Sequence, residues 1–286
     1  MISSCSLHQL LQWGRDTLKH TGISRGWVDA RLLLAHALNC TAENLIISDD
    51  QEVTSHKVLL YKQYIRRRQQ HEPVSRILKS REFWSLPFDI SPATLDPRSE
   101  TELIIETILK NYQDHQQKLK ILDLGTGSGC ILLSLLQEYP YAEGLGVDIS
   151  LNALKVAQKN SEKFGLQDRV SWQQGSWTQG LQGCFDVIVS NPPYIPLKQI
   201  LTLADDVKLY DPLKALDGGE NGLECYAQIA DQLTPFCHLK TQIYFEIGQG
   251  QEDDVTSIMR KAGFDLLTWN FDLSGIIRCG IFKISS

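Results

Sequence analysis

Lys120-Ile121-Leu122-Asp123-Leu124-Gly125-Thr126-Gly127-Ser128-Gly129-Cys130-Ile131-Leu132-Leu133 decides the fold of this chain. It reads as a buried strand, a glycine-rich turn and the start of an apolar helix, the βα unit of nucleotide-binding sheets. The glycines follow Gly-x-Gly-x-Gly rather than the Gly-x-Gly-x-x-Gly of dinucleotide folds, and no Lys-Ser/Thr follows, so a phosphate cradle is disfavoured. Glycines still let a ligand approach the backbone closely, and the N–H groups at the helix start favour an anion such as an amino-acid carboxylate. Roughly 20 residues on, Glu143-Gly144-Leu145-Gly146-Val147-Asp148 reads as a second strand ending in an acid, placed to accept hydrogen bonds from both hydroxyls of a ribose. Asp148 also reads as a cap for the helix expected over Leu151 to Lys163, although Ser150 is better placed for that. Asp123 reads two ways, orienting a ligand's ammonium or bracing the loop.

Further along, Asn191-Pro192-Pro193-Tyr194 follows the apolar run Phe185-Asp186-Val187-Ile188-Val189-Ser190. One reading is a turn leaving a strand. The other is chemistry on an amide or amino nitrogen, whose lone pair is delocalised into a π system and must be presented in line to an electrophilic carbon. Two acceptors aimed at the two N–H bonds achieve this: the Asn191 side-chain carbonyl and the backbone carbonyl of Pro192, stiffened because each proline fixes its own φ and restricts the residue before it. Tyr194 offers a flat face for the planar target. No strong base is required, because the nitrogen turns acidic only after it has attacked; orientation and proximity, worth about 7–11 kcal/mol in well-aligned cases, would do most of the work. A donor with a carboxylate and no phosphate fits the glycine turn, and S-adenosylmethionine is such a donor.

Taken together, Asp123-Leu-Gly-Thr-Gly-Ser-Gly129, Asp148 and Asn191-Pro-Pro-Tyr194 resemble the PrmC/HemK family of protein-glutamine N5-methyltransferases. Arg81-Glu82-Phe83-Trp84-Ser85-Leu86 is similar to that family's interdomain hairpin, and Pro97-Arg98-Ser99-Glu100-Thr101-Glu102 to the segment opening its catalytic domain. Asp29-Ala30-Arg31-Leu32-Leu33-Leu34, Ala215 to Leu223 and Glu246-Ile247-Gly248-x-Gly250-Gln251 resemble further family motifs, so the likeness spans nearly the whole chain. It implies S-adenosylmethionine as donor, S-adenosylhomocysteine as product, and as substrate the glutamine of the Gly-Gly-Gln loop in class 1 peptide chain release factors. It implies that Gly125, Thr126, Gly127, Ser128, Gly129, Asp148 and Asn191 line the cofactor and that Asn191, Pro192, Pro193 and Tyr194 hold the glutamine, with Asn191, Pro192 and Tyr194 catalytic. Trp177 follows a strand at Val170 to Gln174; its indole reads equally as an adenine cover or a core edge, and the resemblance favours the adenine. The chain departs from the family's usual residues at Asp96, where an aliphatic residue normally precedes Pro-Arg, and at Asp211, where Glu is usual; both bear on substrate docking.

The remaining features set the frame. With 286 residues the chain has room for one large or two moderate domains. Apolar residues at three-to-four spacing over Leu7 to Leu18, Val28 to Leu38 and Ser55 to Gln69 predict a small helical bundle. Alternating strands and helices after it predict a doubly wound sheet, an α/β fold of the class I, Rossmann-like methyltransferase kind whose last strand the resemblance makes antiparallel. The boundaries expected are a helical substrate-recognition domain at 1–74, a hairpin linker at 75–95 and a catalytic domain at 96–286. Lys plus Arg number 28 against 34 for Asp plus Glu, a net charge of −6, which argues against electrostatic capture of nucleic acid.

Seven scattered cysteines without a Cys-x-x-Cys pair suggest reduced thiols in a cytoplasmic protein and no metal site, with Cys130 and Cys184 filling apolar core. Cys237-His238 carries little metal signal, and His36 reads as a core-edge residue. No run is long and apolar enough for a membrane span and no signal pattern opens the chain; a soluble monomer is expected. Lys62, Arg66, Arg67 and Arg68 read as a solvated helix face or as a contact for an acidic partner, and Ile195 to Asp217 as a long loop lining the peptide cleft. A DNA N6-adenine methyltransferase poses the same lone-pair problem but needs a basic groove for a flipped base. A binder without chemistry would not need the glycines, Asp148 and Asn191 together. A ribosomal-protein glutamine methyltransferase shares the site and differs in its N-terminal region.

Overall fold

The computed structural model describes residues 5–47 and 52–285. The chain divides into a unit of Met1–Lys79 with Ala204–Tyr210 and a unit of Ser80–Leu203 with Asp211–Ser286.

The smaller unit is helical: α1 (Leu7–Lys19), α2 (Gly26–Leu38), the short α3 (Asn44–Ile47), α4 (Ser55–Gln69) and α5 (Val74–Leu78), with a two-residue antiparallel pairing of β1 (Cys5–Ser6) and β2 (Glu52–Val53). Ser6 and Gln9 form a reciprocal capping box at the start of α1, each side chain satisfying the other's backbone N–H. Leu10, Leu18, Leu33, Leu34, Val58, Tyr61 and Ile65 are buried, as the helical spacing predicts. The basic run on α4 is partly consumed inside the unit. Arg67 forms a two-pronged pair with Glu72, and Arg68 Nε lies 2.7 Å from Asp29 Oδ2. Asp29 of the Asp-Ala-Arg motif thus anchors one helix to another, which leaves Arg67 and Arg68 engaged rather than offered to an acidic partner.

The larger unit holds a seven-stranded sheet. A hairpin of β3 (Ser80–Phe83) and β4 (Leu86–Asp89) precedes it, and the sheet strands are β5 (Lys120–Leu124), β6 (Glu143–Asp148), β7 (Val170–Gln174), β8 (Phe185–Ser190), β9 (Cys237–Glu246), β10 (Phe264–Phe271) and β11 (Ile277–Ile284). Their order is β10-β11-β9-β8-β5-β6-β7, and β5 to β9 pair in parallel, as βα crossovers require. The last strand, β11, inserts antiparallel between β9 and β10. Period-two alternation sends Ile121, Val187, Val189, Tyr244 and Ile281 to one face and Leu122, Leu124, Ile188, Ile243, Phe245 and Phe282 to the other. The first face is covered by α6 (Glu102–Asn111) and α7 (Cys130–Glu138) with the hairpin's Phe83 and Phe88; the second by α11 (Glu224–Leu233) and α12 (Glu252–Lys261).

Several expectations shift. The hairpin groups with the larger unit: Phe83 and Phe88 are fully buried in its core, and the Trp84 indole donates to Glu138 Oε1 at 2.7 Å. Strand β9 begins at Cys237, and its first residues run past a register shift where Leu239 is exposed. Cys184 is exposed, in the turn before β8, and is not a core filler; Cys130 is half-buried. His36 is exposed beside the Tyr64 ring. The stretch after Tyr194 contains short helices at Leu197–Ile200 (α9) and Asp205–Lys208 (α10), and its residues Ala204–Tyr210 group with the smaller unit, where the Tyr210 hydroxyl donates to the Gln70 carbonyl at 2.8 Å.

Candidate active site

The glycine turn leaves the carboxyl end of β5 and is stitched to β6. Gly125 and Thr126 N–H groups both donate to the Val147 carbonyl at 2.9 Å, and Gly127 N–H donates to Asp148 Oδ2 at 2.9 Å. All three turn glycines have left-handed backbones, φ +76°, +56° and +80° at Gly125, Gly127 and Gly129, which a residue with a Cβ adopts only under strain. Gly129 carries no side chain to cap α7, so that helix presents its first amides without a side-chain acceptor. Asp148 does not cap the following helix, α8 (Leu151–Lys163); Ser150 does, accepting from the Ala153 N–H. Asp148 instead receives the Gly127 and Ser150 N–H groups, one on each oxygen. Each carboxylate oxygen retains a further acceptor site. Burial raises its pKa, and those two backbone donors pull it back down.

Asp123 is buried, and its Oδ2 accepts the Thr126 hydroxyl at 2.6 Å, so it braces the turn. Its Oδ1 is buried with no hydrogen-bond partner. Burial, reinforced by the Asp148 charge, lifts this carboxyl to about 7. A buried oxygen without a partner at the mouth of a glycine turn suits a ligand's ammonium group. Trp177 holds a left-handed backbone, φ +54°, which for a bulky residue marks a constrained position. Its indole N–H donates to Gln228 Oε1 at 2.9 Å, and its six-membered ring lies 3.6 Å from where a Cβ on Gly125 would sit. The indole is therefore both partly buried against the core and adjacent to the glycine turn. The turn, the Asp123 carboxyl and the Trp177 ring thus lie close together at the carboxyl ends of β5 and β6.

Asn191 begins the chain segment leaving β8, the neighbour of β5. Ser190 stands opposite Leu124 in the register, and its hydroxyl donates to the Leu124 carbonyl at 2.7 Å. The residue before Asn191 is thus bonded to the residue before Gly125, so both motifs leave adjacent strands at one level. Pro192 is buried while Asn191, Pro193 and Tyr194 are half-buried. The Asn191 Nδ2 donates to Thr101 Oγ1 at 3.1 Å, leaving Oδ1 as the acceptor. The Tyr194 hydroxyl donates to Glu246 Oε1 at 3.3 Å, and burial holds its phenol well above the usual range, hence neutral.

Motifs to which spacing assigns no role wrap this segment. Gln251 donates from Nε2 to the Tyr194 carbonyl at 3.1 Å and to the Gly222 carbonyl at 3.2 Å, while its Oε1 accepts the Gly248 N–H at 2.9 Å. A Cβ on Gly222 would lie 2.3 Å from the Tyr194 carbonyl oxygen, so the glycine is what admits that backbone. The departures at Asp96 and Asp211 meet each other: Asp96 N–H donates to Asp211 Oδ1 at 3.2 Å, and the Arg98 guanidinium pairs with Asp211. Among the described residues no cluster of His, Cys, Asp and Glu could hold a metal, and His238 Nε2 lies 3.1 Å from Asp186 Oδ1 instead. No helix of the described residues is long and apolar enough to cross a membrane.

A seven-stranded sheet of this order, with a glycine turn ending one central strand and Asn-Pro-Pro-Tyr ending its neighbour, defines a class I methyltransferase. Residues 9–78 match the PrmC N-terminal domain and residues 82–206 the methyltransferase small domain. The chain belongs to the release factor glutamine methyltransferase family. It is 41% identical over 277 residues to the release factor glutamine methyltransferase of Rhodospirillum rubrum, covering 97% of this chain and 85% of that one. The enzyme of the same name from Agrobacterium fabrum is 39% identical over 272 residues, 94% of each chain. A methyltransferase from Pyrococcus furiosus shares the fold at 18% identity with a TM-score of 0.53, covering 70% of this chain and 90% of its own.

Proposed function

We propose that this chain methylates the N5 amide nitrogen of the glutamine in the Gly-Gly-Gln loop of class 1 peptide chain release factors. When bound, S-adenosylmethionine supplies the electrophilic methyl carbon and is released as S-adenosylhomocysteine. The observation that carries the reading is the level register of Ser190 with Leu124, which brings the acceptor side chain of Asn191 and the glycine turn to one edge of the sheet. Asn191 Oδ1 and the Pro192 carbonyl accept the two N–H bonds of the glutamine amide and turn its lone pair toward the methyl group. Tyr194 packs the flat amide. Water takes the proton, which becomes acidic only once nitrogen has attacked. Asp148 holds the ribose, Asp123 the ammonium, the first amides of α7 the carboxylate, and Trp177 the adenine; Thr126 and Ser128 complete the turn.

The helices of residues 1–74 serve recognition of the protein partner, and the catalytic segment runs from 96. The protein works as a monomer in the cytoplasm, and a net charge of −6 gives it no electrostatic hold on nucleic acid as substrate. Two variants separate the roles. Asn191→Ala is expected to bind S-adenosylmethionine as the parent does while kcat falls about a hundredfold or more, the scale of a lost orientation. Asp148→Ala is expected to weaken the cofactor first. Wild-type turnover by Asn191→Ala would refute the amide clamp.

A further inference from the structure

The hairpin that closes the sheet carries apolar residues where a turn has no use for them. Between β10 and β11 the chain reads Phe271-Asp272-Leu273-Ser274-Gly275-Ile276. Asp272, Ser274 and Gly275 are turn residues by chemistry. Asp272 Oδ1 accepts the Ser274 and Ile276 N–H groups at 2.8 and 2.9 Å, its Oδ2 accepts the Arg278 Nε–H at 3.2 Å, and its own N–H donates to the Ile276 carbonyl at 2.8 Å. Gly275 takes a left-handed backbone, φ +76°, which a glycine adopts without strain. Leu273 contributes nothing to the turn. It is fully exposed, and Phe271 beside it is 57% exposed. A tied backbone thus holds two large apolar side chains out in water.

The sheet register places this tip. Leu124 of β5 stands opposite Ser190 of β8, Ser190 opposite Phe245 of β9, Phe245 opposite Gly280 of β11, and Gly280 opposite Trp269 of β10, which makes one row across the sheet. Because β10 is antiparallel to β11 and β11 to β9, β10 runs with β8, and its carboxyl end lies at the edge from which Asn191 and the glycine turn leave. Leu273 and Asn191 are then three strand spacings apart, roughly 14 Å at about 4.8 Å each, with Leu273 raised above the row by roughly 10 Å. In the strand order the glycine turn and Asp148 lie on one side of β8, and the closing hairpin lies on the other. A methyl donor seated on the turn leaves the hairpin side of this edge for the polypeptide whose glutamine is clamped, and about five residues of extended chain span the gap.

A second copy of this chain is the rival occupant. β10 is an edge strand, but its pairing with β11 shifts register between Leu266 and Thr268 and again between Asn270 and Phe271. Irregularities of that kind turn an edge away from strand addition. Phe271 and Leu273 together also offer far less than the roughly 1,000 Å² of a self-standing dimer interface, and are the size of one apolar anchor within a contact held elsewhere as well.

We propose that Phe271 and Leu273 form a docking tip for the protein substrate, which meets it with an apolar patch about 15 Å from the target glutamine, so that the tip supplies affinity and takes no part in the chemistry. The inference rests on the reading of Asn191 as the clamp for a release factor glutamine.

The test uses the full chain carrying Phe271→Ser and Leu273→Ser together, Leu273→Met as the apolar control, and Leu273→benzoylphenylalanine for photocrosslinking. Thermal midpoint, sedimentation, S-adenosylmethionine Kd, release factor Kd, and kcat and KM for methylation are measured. The double variant is expected to keep the midpoint, the cofactor Kd and kcat, and to raise KM and the release factor Kd about tenfold or more, the scale of one buried apolar anchor. Leu273→Met is expected to match the parent. Light is expected to join position 273 to the part of the release factor that bears the target glutamine. Parent-like KM and release factor Kd in the double variant would overturn the proposal, as would a fall in kcat with KM unchanged, or a crosslink to a second copy of this chain. A parent that neither binds nor methylates a release factor would overturn the functional reading and this one with it; a parent that methylates and a double variant that matches it would overturn this one alone.

Discussion

In the proposed site Asp123 answers to stability and to ligand binding at once, and the two pull in opposite directions. Its carboxyl sits near 7 instead of the usual 3.8, because burial and then the Asp148 charge disfavour ionisation. The folded state therefore binds this proton more tightly than the unfolded chain, and the stability owed to Asp123 is lost as pH rises from about 4 toward 7. Asp123→Asn keeps the acceptor for Thr126 and stays neutral. Its stability relative to the parent is expected to grow by a few kcal/mol between about pH 4 and 8, read by urea unfolding at both ends, while its S-adenosylmethionine affinity falls. Parallel stability curves for the two proteins would contradict this. The glycines, and likewise Asp148 with Ser150, were legible in the sequence because each group lies within one βα turn, β5 to α7 and β6 to α8. Thr101, Asn160 and Glu246 were not. Asn191 lies 90 residues from Thr101, and Tyr194 lies 52 from Glu246. Spacing carries no signal across such gaps.

Among the elements, the hairpin and the glycine turn are joined by one residue of α8. Asn160 is fully buried, accepts the Asp89 N–H at 2.8 Å, and donates to the Asp89 carbonyl at 3.0 Å and the Ser128 carbonyl at 2.9 Å. Asn160→Ala would leave those backbone groups unpaired and is expected to cost about 3 kcal/mol and to weaken the cofactor as well. An unfolding midpoint and cofactor Kd equal to the parent's would show that the brace is dispensable. A second constraint lies across β6 and β7, where Gly146 stands opposite Trp172. A Cβ at Gly146 would fall 2.3 Å from the Trp172 ring, so Gly146→Ala is expected to lose about 1–3 kcal/mol in denaturant unfolding, and an unchanged midpoint would contradict it. The sequence showed Gly144 and Gly146 inside a strand but not what they admit, because the side chains that need the space, Leu132 of α7 at Gly144 and Trp172 of β7 at Gly146, come from other elements.

For the whole molecule, alternating strands and helices made the sheet legible, since central strands such as β5 and β8, buried on both faces, read as short continuous apolar runs between helices. The division of the stretch after Tyr194 did not, because Ala204–Tyr210 is short, polar and grouped with helices that lie far earlier in the chain. The basic run of α4 misled for a related reason: Asp29, which engages Arg68, stands 39 residues before it. The acidic balance, by contrast, belongs to the chain as a whole, with a net charge of −6. In the proposed reading, a carboxamide clamp beside a methyl-donor turn takes a protein glutamine as its target. The most direct test incubates the protein with isotopically labelled S-adenosylmethionine and a purified class 1 release factor, then locates the label by peptide mass mapping. The account predicts one label, on the glutamine of the Gly-Gly-Gln loop, absent with Asn191→Ala; a label on any other residue, or equal labelling by that variant, would contradict it.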